Sequence, residues 1–304
     1  MRRIAKPLLP AAMALSMLLA ACAAQPGSSP GSSAGTIDHP SGDGLVLRLS
    51  YSGGFVGPGF DLIAFPPFSL AGDGRVFVPG AQDAIFPGPA LPAVMVRRLT
   101  ASGIEAVLQE VVATGLFGAS VEYRGAQNCV MDASDAILTL NAGGRDVKVV
   151  VYGLGTLPPG RACPGVSSGE IAAHASLQHL ADRLTNLEAW LPESAWAEPQ
   201  WRLYQPEALR LLVRNADPDP PDSSGIANPL VDWPDDADPA TFGQPGTLGD
   251  QRCGVLTSQR ASDWYTALQA ANQLTRFTRD GHRYQVAVRL LLPDEPLECP
   301  TGAA

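Results

Sequence analysis

Residues 137–152 read ILTLNAGGRDVKVVVY, and this stretch decides the class of fold. A run of alternating apolar residues and a second run rich in valine flank Gly143-Gly144, a pair that favours the tight turn of a β-hairpin. The same pattern recurs over residues 68–78 and over residues 275–290, again around turns that contain glycine. Three such segments in one chain predict antiparallel β-sheet.

In chain order, one helix is expected between the first and second of these hairpins, and two helices are expected between the second and third. Apolar residues recur every three or four positions in three segments, which predicts helices over about 100–115, 168–191 and 258–274. No regular strand–helix–strand series links them, so a parallel sheet is not expected. The sequence therefore predicts an α+β fold of antiparallel β-hairpins with helices packed on one face.

The remaining apolar runs predict single strands over Leu45–Tyr51, Phe60–Phe65 and Leu209–Val213. Each half of the chain contains a helix followed by a hairpin, which predicts two α+β lobes, residues 44–195 and 196–304. The order of elements in the two lobes is similar. This order fits a duplication of one lobe and also fits two unrelated lobes.

The composition fits a globular protein and limits its partners. Of 304 residues, 45% are hydrophobic and 17% are charged, and the 31 Gly and 28 Pro favour turns over long helices. The chain has 30 Asp and Glu against 21 Lys and Arg, a formal net charge of −9. Because phosphate binding needs clustered cations, this balance argues against a nucleic-acid partner. No residue pattern calls for a cofactor.

The first residues have the form of an export signal. A basic start of Arg2, Arg3 and Lys6 precedes an apolar run over residues 8–19, which is typical of signal peptides. The following Leu19-Ala20-Ala21-Cys22 resembles the lipobox of bacterial lipoproteins. The resemblance implies that residues 1–21 are removed and that the Cys22 thiol carries a lipid. The alternative is an uncleaved membrane helix, for which the apolar stretch is at the short limit.

The segment after Cys22 is rich in Gly, Ser and Pro, so residues 22–43 are expected to form a flexible tether. Removal of three cations and no acidic residue with the signal takes the net charge from −9 to −12. Such a surface is not attracted to anionic lipid headgroups, so the lipid alone is expected to hold the protein on the bacterial cell membrane, outside the cytoplasm.

A second resemblance concerns the body of the protein. Residues 68–76, together with the proline-rich residues 87–92, are similar to a set of uncharacterised bacterial envelope proteins. This resemblance implies no activity and no catalytic residue.

Four cysteines remain beside Cys22: Cys129, Cys163, Cys253 and Cys299. Outside the cytoplasm these thiols are expected to form disulfides, and four cysteines allow three pairings. We favour Cys129–Cys163 and Cys253–Cys299, because the members of each pair fall within one half of the chain. A zinc site is the alternative, but no CxxC motif is present and no histidine is close to a cysteine.

One motif is typical of hydrolases. Residues 165–169 match G-x-S-x-G, in which the serine attacks the substrate from a strand-to-helix turn. On that interpretation Ser167 would be the nucleophile. The residues before it are loop rather than strand, so we interpret Ser167 as the N-cap of the following helix, with Glu170 as its capping-box partner. His174 and His179 on that helix are interpreted as edge or solvent residues.

An acidic loop is expected over residues 215–251, which contain eight aspartates and no cation. Asp217, Asp219 and Asp222 are close enough in sequence to form a calcium site, since Ca²⁺ takes 6–8 oxygen ligands. The prolines between them restrict convergence of the carboxylates. The alternative is a solvated loop that keeps the protein soluble.

Aromatic residues cluster near the junction of the two lobes. Such residues stack on sugars, anchor a protein partner or fill the seam between lobes. The cluster consists of Trp190, Trp196, Trp201, Tyr204 and Trp233.

These observations favour a lipid-anchored cell-envelope protein with a non-catalytic binding or structural body, whose ligand is a protein or a polysaccharide. The alternatives are a serine hydrolase that uses Ser167, or a calcium-assisted adhesion or solute-binding protein.

Overall fold

Two mixed, mostly antiparallel β-sheets carry the fold. The computed structural model describes residues 36–57, 59–82, 84–157, 163–220, 225–246 and 250–300, and over these residues the chain forms four α-helices and fourteen strands. The helices are α1 Phe60–Ile63, α2 Ala101–Ala113, α3 Ser168–Leu184 and α4 Ser258–Gln269. The strands are β1 Leu45–Ser52, β2 Phe68–Ala71, β3 Arg75–Pro79, β4 Val94–Arg98, β5 Val121–Tyr123, β6 Asp135–Ala142, β7 Arg145–Tyr152, β8 Arg202–Leu203, β9 Ala208–Asn215, β10 Leu230–Asp232, β11 Gln244–Pro245, β12 Gln251–Thr257, β13 Arg276–Arg279 and β14 His282–Leu290. The predicted α+β class with strand hairpins is confirmed.

Sheet 1 has the strand order β5-β7-β6-β1-β2-β3-β4-β8, and only its β5–β7 pair is parallel. The β6–β7 hairpin turns at Gly143 and Gly144, as the sequence predicts, and both adopt a positive φ (61° and 69°). Glycine is required at these two positions because side chains with a Cβ atom disfavour that conformation. In β6 the buried side chains alternate strictly, so one face of the hairpin packs on the core.

Core 1 lies between sheet 1 and helices α2 and α3. The leucines of α3 at positions 177, 180 and 184 are buried in it, together with apolar residues of α2. Thr100 caps α2, because its Oγ1 accepts a hydrogen bond from the Gly103 amide at 3.2 Å. The helix predicted over about 100–115 therefore begins at Ala101, directly after this cap.

Sheet 2 has the order β10-β13-β14-β9-β12-β11, with β10–β13 as its parallel pair. Helix α4 packs on one face through Trp264 and Leu268, which are fully buried in core 2. The Asp235 carboxylate fixes this helix, because it accepts hydrogen bonds from Trp264 Nε1 at 2.9 Å and from Arg260 Nη2 at 2.9 Å. Burial raises the pKa of Asp235, but these hydrogen bonds outweigh it and hold the pKa below its usual value.

Both lobes contribute residues to core 2. The chain from Thr36 onward forms one compact unit. Phe77, Val94 and Val96 of sheet 1 belong to core 2 and pack beside residues of sheet 2. The sequence places the lobe boundary between residues 195 and 196. In the structure β8 still pairs with β4, so sheet 1 extends to Leu203 and sheet 2 begins at β9.

The strand connectivity differs between the two sheets. In sheet 1 the first strand, β1, pairs with β6, the first strand of its hairpin. In sheet 2 the first strand, β9, pairs with β14, the second strand of its hairpin. The similar order of elements along the sequence therefore corresponds to two different topologies.

Of the two strands predicted near the N-terminal side of the body, one is confirmed and one is wrong. The strand predicted over Leu45–Tyr51 is β1, in which a register shift between Leu45 and Leu47 leaves both Val46 and Leu47 buried. Residues 60–65 do not form a strand, since α1 occupies Phe60–Ile63. In so short a run the periods of helix and strand cannot be distinguished.

Helix α3 ends at Leu184, seven residues before the predicted end at Leu191. Leu187 and Leu191 are nevertheless buried in core 1, the first on a short 3₁₀ turn, so the leucine repeat continues after the helix has stopped. Helix α4 likewise ends at Gln269, ahead of the predicted residue 274. In both cases a buried apolar stripe extends beyond the hydrogen-bonded helix.

The last part of the segment predicted as a tether, residues 36–43, packs on the body instead. Residues 36–43 contact the body, since the Ile37 amide donates to Glu105 Oε2 at 2.9 Å and the Gly143 amide donates to the Asp38 carbonyl at 2.6 Å. Cys22 and the other residues before position 36 lie outside the described part of the chain.

Candidate functional site

A cleft of about 770 Å³ lies between helix α4 and the segment that follows β14. We call it the main cleft, and we call residues 291–299 the C-terminal segment. Three groups line it: the exposed side of α4, the residues that lead into β9, and the C-terminal segment. The lining residues include Arg75, Tyr204, Gln205, Glu207, Ser258, Ser262, Tyr265, Thr266, Gln269, Leu291, Pro293 and Leu297.

The α4 wall of the cleft is polar and uncharged. Ser258, Ser262, Tyr265, Thr266 and Gln269 recur at helical spacing and share one side of the helix. Trp264 holds the opposite side in core 2, so packing orients the polar side toward the cleft. The cleft wall is thus a row of hydroxyl and amide groups with one aromatic ring among them.

The opposite wall is apolar and belongs to the C-terminal segment. Tyr204, buried at the base of the cleft, donates a hydrogen bond from its hydroxyl to the Leu291 carbonyl at 2.8 Å. Burial raises the pKa of Tyr204, so the phenol stays protonated. The Cys253–Cys299 disulfide attaches the end of the segment to β12.

Ion pairs with low solvent exposure also hold the C-terminal segment in place, through side chains that do not line the cleft. Arg48 of β1 donates to Asp294 at 2.7 Å, and Arg289 of β14 pairs with Glu295. Arg210 of β9 donates to the Glu298 carbonyl at 3.1 Å. Burial lowers the pKa of both Arg210 and Arg289. Three guanidinium groups on both sheets thus converge on the segment that forms the cleft wall.

The two charged side chains that line the main cleft are Arg75 and Glu207. Arg75 is already paired, because its guanidinium contacts Asp73 at 2.7 Å and also Asp43. Glu207 is exposed. Over the described residues the lining contains no histidine, cysteine or lysine.

A second cavity of about 270 Å³, the small cleft, adjoins the first. Tyr204, Tyr265 and Gln269 line both cavities and stand between them. The far wall of the small cleft is formed by the proline-rich connection over residues 89–94 and by Leu203 of β8. The two cavities therefore lie on either side of one pair of tyrosines.

The structure places Ser167 at the start of α3, away from both clefts. Its Oγ accepts a hydrogen bond from the Glu170 amide at 3.1 Å, which is the N-cap interaction that the sequence predicts. The capping box is incomplete, because the Glu170 carboxylate accepts instead from the Gly125 amide at 2.7 Å. His174 is buried against core 1, and neither of its ring nitrogens has a hydrogen-bond partner among the described residues, so its prediction as an edge residue is wrong.

The three aspartates considered for calcium do not converge in the described part of the chain. Asp217 accepts from His282 Nδ1 at 3.0 Å, and this hydrogen bond lowers its pKa. Asp219 pairs with Arg276 at 2.9 Å. Asp222 lies outside the described residues. Within the described ranges, no group of three metal-ligating side chains is found.

The aromatic residues divide between the two cores. Trp190, Trp196 and Trp201 pack in or against core 1, with Trp196 and Trp201 edge to face at 5.6 Å. Trp233 is buried in core 2 with its ring centroid 4.6 Å from that of Trp264. Tyr204 alone of the five lines the main cleft.

The cysteines pair as the sequence predicts. Cys129 and Cys163 form one disulfide and Cys253 and Cys299 the other. The first closes the loop before α3, and the second joins β12 to the C-terminal segment. Two disulfides indicate an oxidising compartment outside the cytoplasm.

An exposed apolar patch was not predicted from the sequence. The side chains of Phe55 and Met131 are 93% and 84% exposed, and Val56 is also exposed. The two loops lie together, since the Phe55 amide donates to the Asp132 carbonyl at 3.1 Å. We call these three residues the loop patch. It lies at the end of β1 opposite to the Asp38–Gly143 contact.

No family model, curated protein or solved structure matches this chain. Among the residues that the structure describes, none of the helices combines the length and the apolar character needed to cross a bilayer.

Proposed function

We propose that the chain is a lipid-anchored envelope protein whose body binds a ligand, without catalysis, in the main cleft. The cleft carries this proposal, because a cavity of about 770 Å³ falls in the range of ligand sites in proteins, roughly 300–1,000 Å³. Its walls come from distant parts of the chain and are held by a disulfide and buried ion pairs, so the cavity is preformed.

The chemistry of the lining favours binding over catalysis. Acid–base or nucleophilic catalysis needs a nucleophile within hydrogen-bond reach of a base. Ser258 and Ser262 line the cleft, but over the described residues no histidine or lysine stands beside them. Ser167, the hydrolase candidate of the sequence, is exposed at an N-cap outside the cleft.

Observations outside the cleft support the proposed location of the protein in the cell. The lipobox resemblance of Leu19–Cys22 supports lipid anchoring, and the two disulfides support a compartment outside the cytoplasm. A lipid on Cys22 would hold the body near the membrane, because Cys22 and the first described residue, Thr36, are close in sequence.

The anchoring is tested by fatty-acid labelling and membrane fractionation of the wild type and Cys22→Ser. We expect the wild type to take up label and to sediment with membranes, and we expect Cys22→Ser to lose the label. Equal labelling and fractionation of the two proteins would contradict the lipid anchor.

The binding is tested by photo-cross-linking in the native cell. A benzoylphenylalanine at Thr266, in the cleft, is compared with one at Gln259, which is exposed on the same helix but does not line the cleft. We expect adducts from position 266 alone. The absence of adducts at position 266 would leave the body without a ligand there and would contradict the proposal.

A further inference from the structure

The main cleft and the small cleft adjoin each other and share lining residues, and we call the two together the groove. Tyr204, Tyr265 and Gln269 line both cavities, so a ligand that lies across Tyr265 reaches into each. We propose that this groove binds a neutral oligosaccharide, with the Tyr265 ring as the surface on which a sugar stacks. The inference rests on the proposed function and names its ligand class.

Charge is the first argument for a neutral ligand. The charged residues of α4, Arg260 and Asp263, do not line the groove, and Arg260 is held by Asp235. Arg75 does line it, but its guanidinium is paired with Asp73 and Asp43. The other charged side chain of the lining, Glu207, is an exposed carboxylate and repels anions. An acidic sugar, a nucleotide or a phosphorylated ligand would therefore lose its hydration without gaining a free cation.

The type of hydrogen-bonding group is the second argument. The helix wall offers hydroxyls from Ser258 and Ser262 and an amide from Gln269, which can both donate and accept hydrogen bonds. Thr266 Oγ1 donates to the Ser262 carbonyl at 3.0 Å and so offers the ligand an acceptor. The hydroxyls of a sugar also donate and accept. A polyhydroxylated ligand can thus satisfy this wall without any charged partner.

The strands beside the groove argue against an extended peptide. A peptide that adds to a sheet needs a free edge of backbone donors and acceptors. Strand β4 is paired with β3 and β8, and β9 is paired with β12 and β14. Strand β12 is paired with β9 and β11. Strand β8, whose Leu203 lines the small cleft, is an edge of sheet 1 but has only two residues. The groove therefore offers mainly side chains and too short a backbone edge for an added strand.

The position of Tyr265 supplies the stacking surface. This side chain is half-buried against core 2, which holds the ring while one part of it faces the groove. Aromatic rings present an apolar face that packs on other apolar faces, and the C–H face of a pyranose is such a surface. The apolar wall of Leu291, Pro293 and Leu297 lies across the main cleft.

Isothermal titration calorimetry with residues 36–304 tests this inference. That range contains both cores and both disulfides. The neutral probes are maltohexaose, mannohexaose and chitotetraose; the contrasting probes are hexagalacturonate and a proline-rich decapeptide. We expect at least one neutral probe to bind and neither contrasting probe to bind.

Two variants locate the binding, and each has a matched control. Tyr265→Ala is expected to weaken affinity for the neutral probe by about tenfold or more, whereas Tyr51→Ala, at an exposed tyrosine elsewhere, leaves it unchanged. Ser262→Arg fills the groove and adds a charge, and it is expected to abolish binding. Gln259→Arg, on the same helix but outside the groove, leaves the affinity unchanged. Thermal melting of all four variants confirms that each is folded.

The outcomes separate the ligand class from the binding function. If no neutral probe binds, or if the hexagalacturonate or the peptide binds in a manner that Ser262→Arg abolishes, the oligosaccharide is ruled out while cross-linking at position 266 still supports a ligand. Neutral binding that survives both groove variants would also overturn the inference. Loss of the cross-links at position 266 would instead remove the binding function itself.

Discussion

Arg289 on β14 and Glu295 in the C-terminal segment form an ion pair in which the two side chains are only 10% and 9% exposed. The same carboxylate accepts a hydrogen bond from the Leu292 amide at 3.0 Å through its other oxygen. Glu295 therefore ties the cleft wall to sheet 2 and also shapes the turn within that wall. Arg48 and Arg210 lie in the same cluster, so this carboxylate compensates more than one buried cation.

Glu295→Gln should destabilise the protein by about 3–5 kcal/mol, because it leaves the Arg289 guanidinium buried without a negative partner. Urea denaturation gives the free energy of unfolding. The control is Glu122→Gln, which breaks an exposed pair with Arg124 and should change stability by less than about 1 kcal/mol. Similar losses in the two variants would contradict a special role for the buried pair.

Stability should fall as the pH drops through the normal titration range of histidine, because of His174. Burial lowers the pKa of His174, and the nearby Glu170 carboxylate offsets this only in part. The unfolded chain binds a proton near the ordinary value of about 6.5, while the folded chain does not until a lower pH. Between those values the unfolded state holds more protons, so stability is present above about pH 6.5 and is lost below it, by at most about 1.4 kcal/mol per pH unit.

The measurement is the free energy of unfolding at about pH 7.5 and about pH 5.5, for the wild type and His174→Leu. The variant should lose less stability than the wild type across this interval. His179→Leu, at an exposed histidine of the same helix, should behave as the wild type does. A His174→Leu profile parallel to that of the wild type would contradict the assignment.

Removal of the Cys253–Cys299 disulfide should loosen the cleft wall as well as lower global stability. The bond closes a loop of 46 residues and the Cys129–Cys163 bond a loop of 34, so loop entropy predicts a similar global cost of about 4 kcal/mol for each. The local effects differ, because the Cys253–Cys299 bond alone attaches to the C-terminal segment. Hydrogen exchange should therefore accelerate over residues 291–298 beyond the global effect in Cys253→Ser/Cys299→Ser. The Cys129→Ser/Cys163→Ser protein is the matched control, and equal acceleration there would disprove the local role.

The loop patch should govern how the protein interacts with apolar surfaces. Phe55→Ser/Met131→Ser removes two nearly fully exposed apolar side chains, so the melting temperature should stay within about 2 °C because surface changes away from specific contacts have small effects. Retention on a hydrophobic-interaction column should drop clearly. Val112→Ser, at a single exposed valine of α2, should change the retention much less. Equal retention of the double variant and the wild type would show that the patch is not accessible in solution.

Local signals in the sequence predict the local structure well. The glycine turns at 143–144 and at 280–281, the Ser167 cap and both disulfides occur where they are expected. Each depends on residues that are close in sequence or on a small number of pairings. Strands β4 and β12 were not predicted, since β4 carries two consecutive arginines and β12 contains Gly254 within a short apolar run.

The candidate site could not be read from the sequence in the same way. Ser262, Thr266 and Gln269 resemble the solvent face of any amphipathic helix, and only the C-terminal segment opposite turns them into a cleft wall. Ion pairs with Arg48 and Arg289, which are far apart in the chain, hold that segment in place. Conversely, the tryptophans that suggested a ligand surface are used to fill the cores.

Every strand of both sheets precedes the C-terminal segment in the chain. One side of the cleft is therefore missing until residues 291–299 have reached the sheets and Cys299 has met Cys253. A chain cut before Leu291 would lose its receptor surface together with the Glu295 carboxylate and the Cys253–Cys299 bond. Proteolytic trimming at this point would thus switch off binding and weaken the sheets in one step.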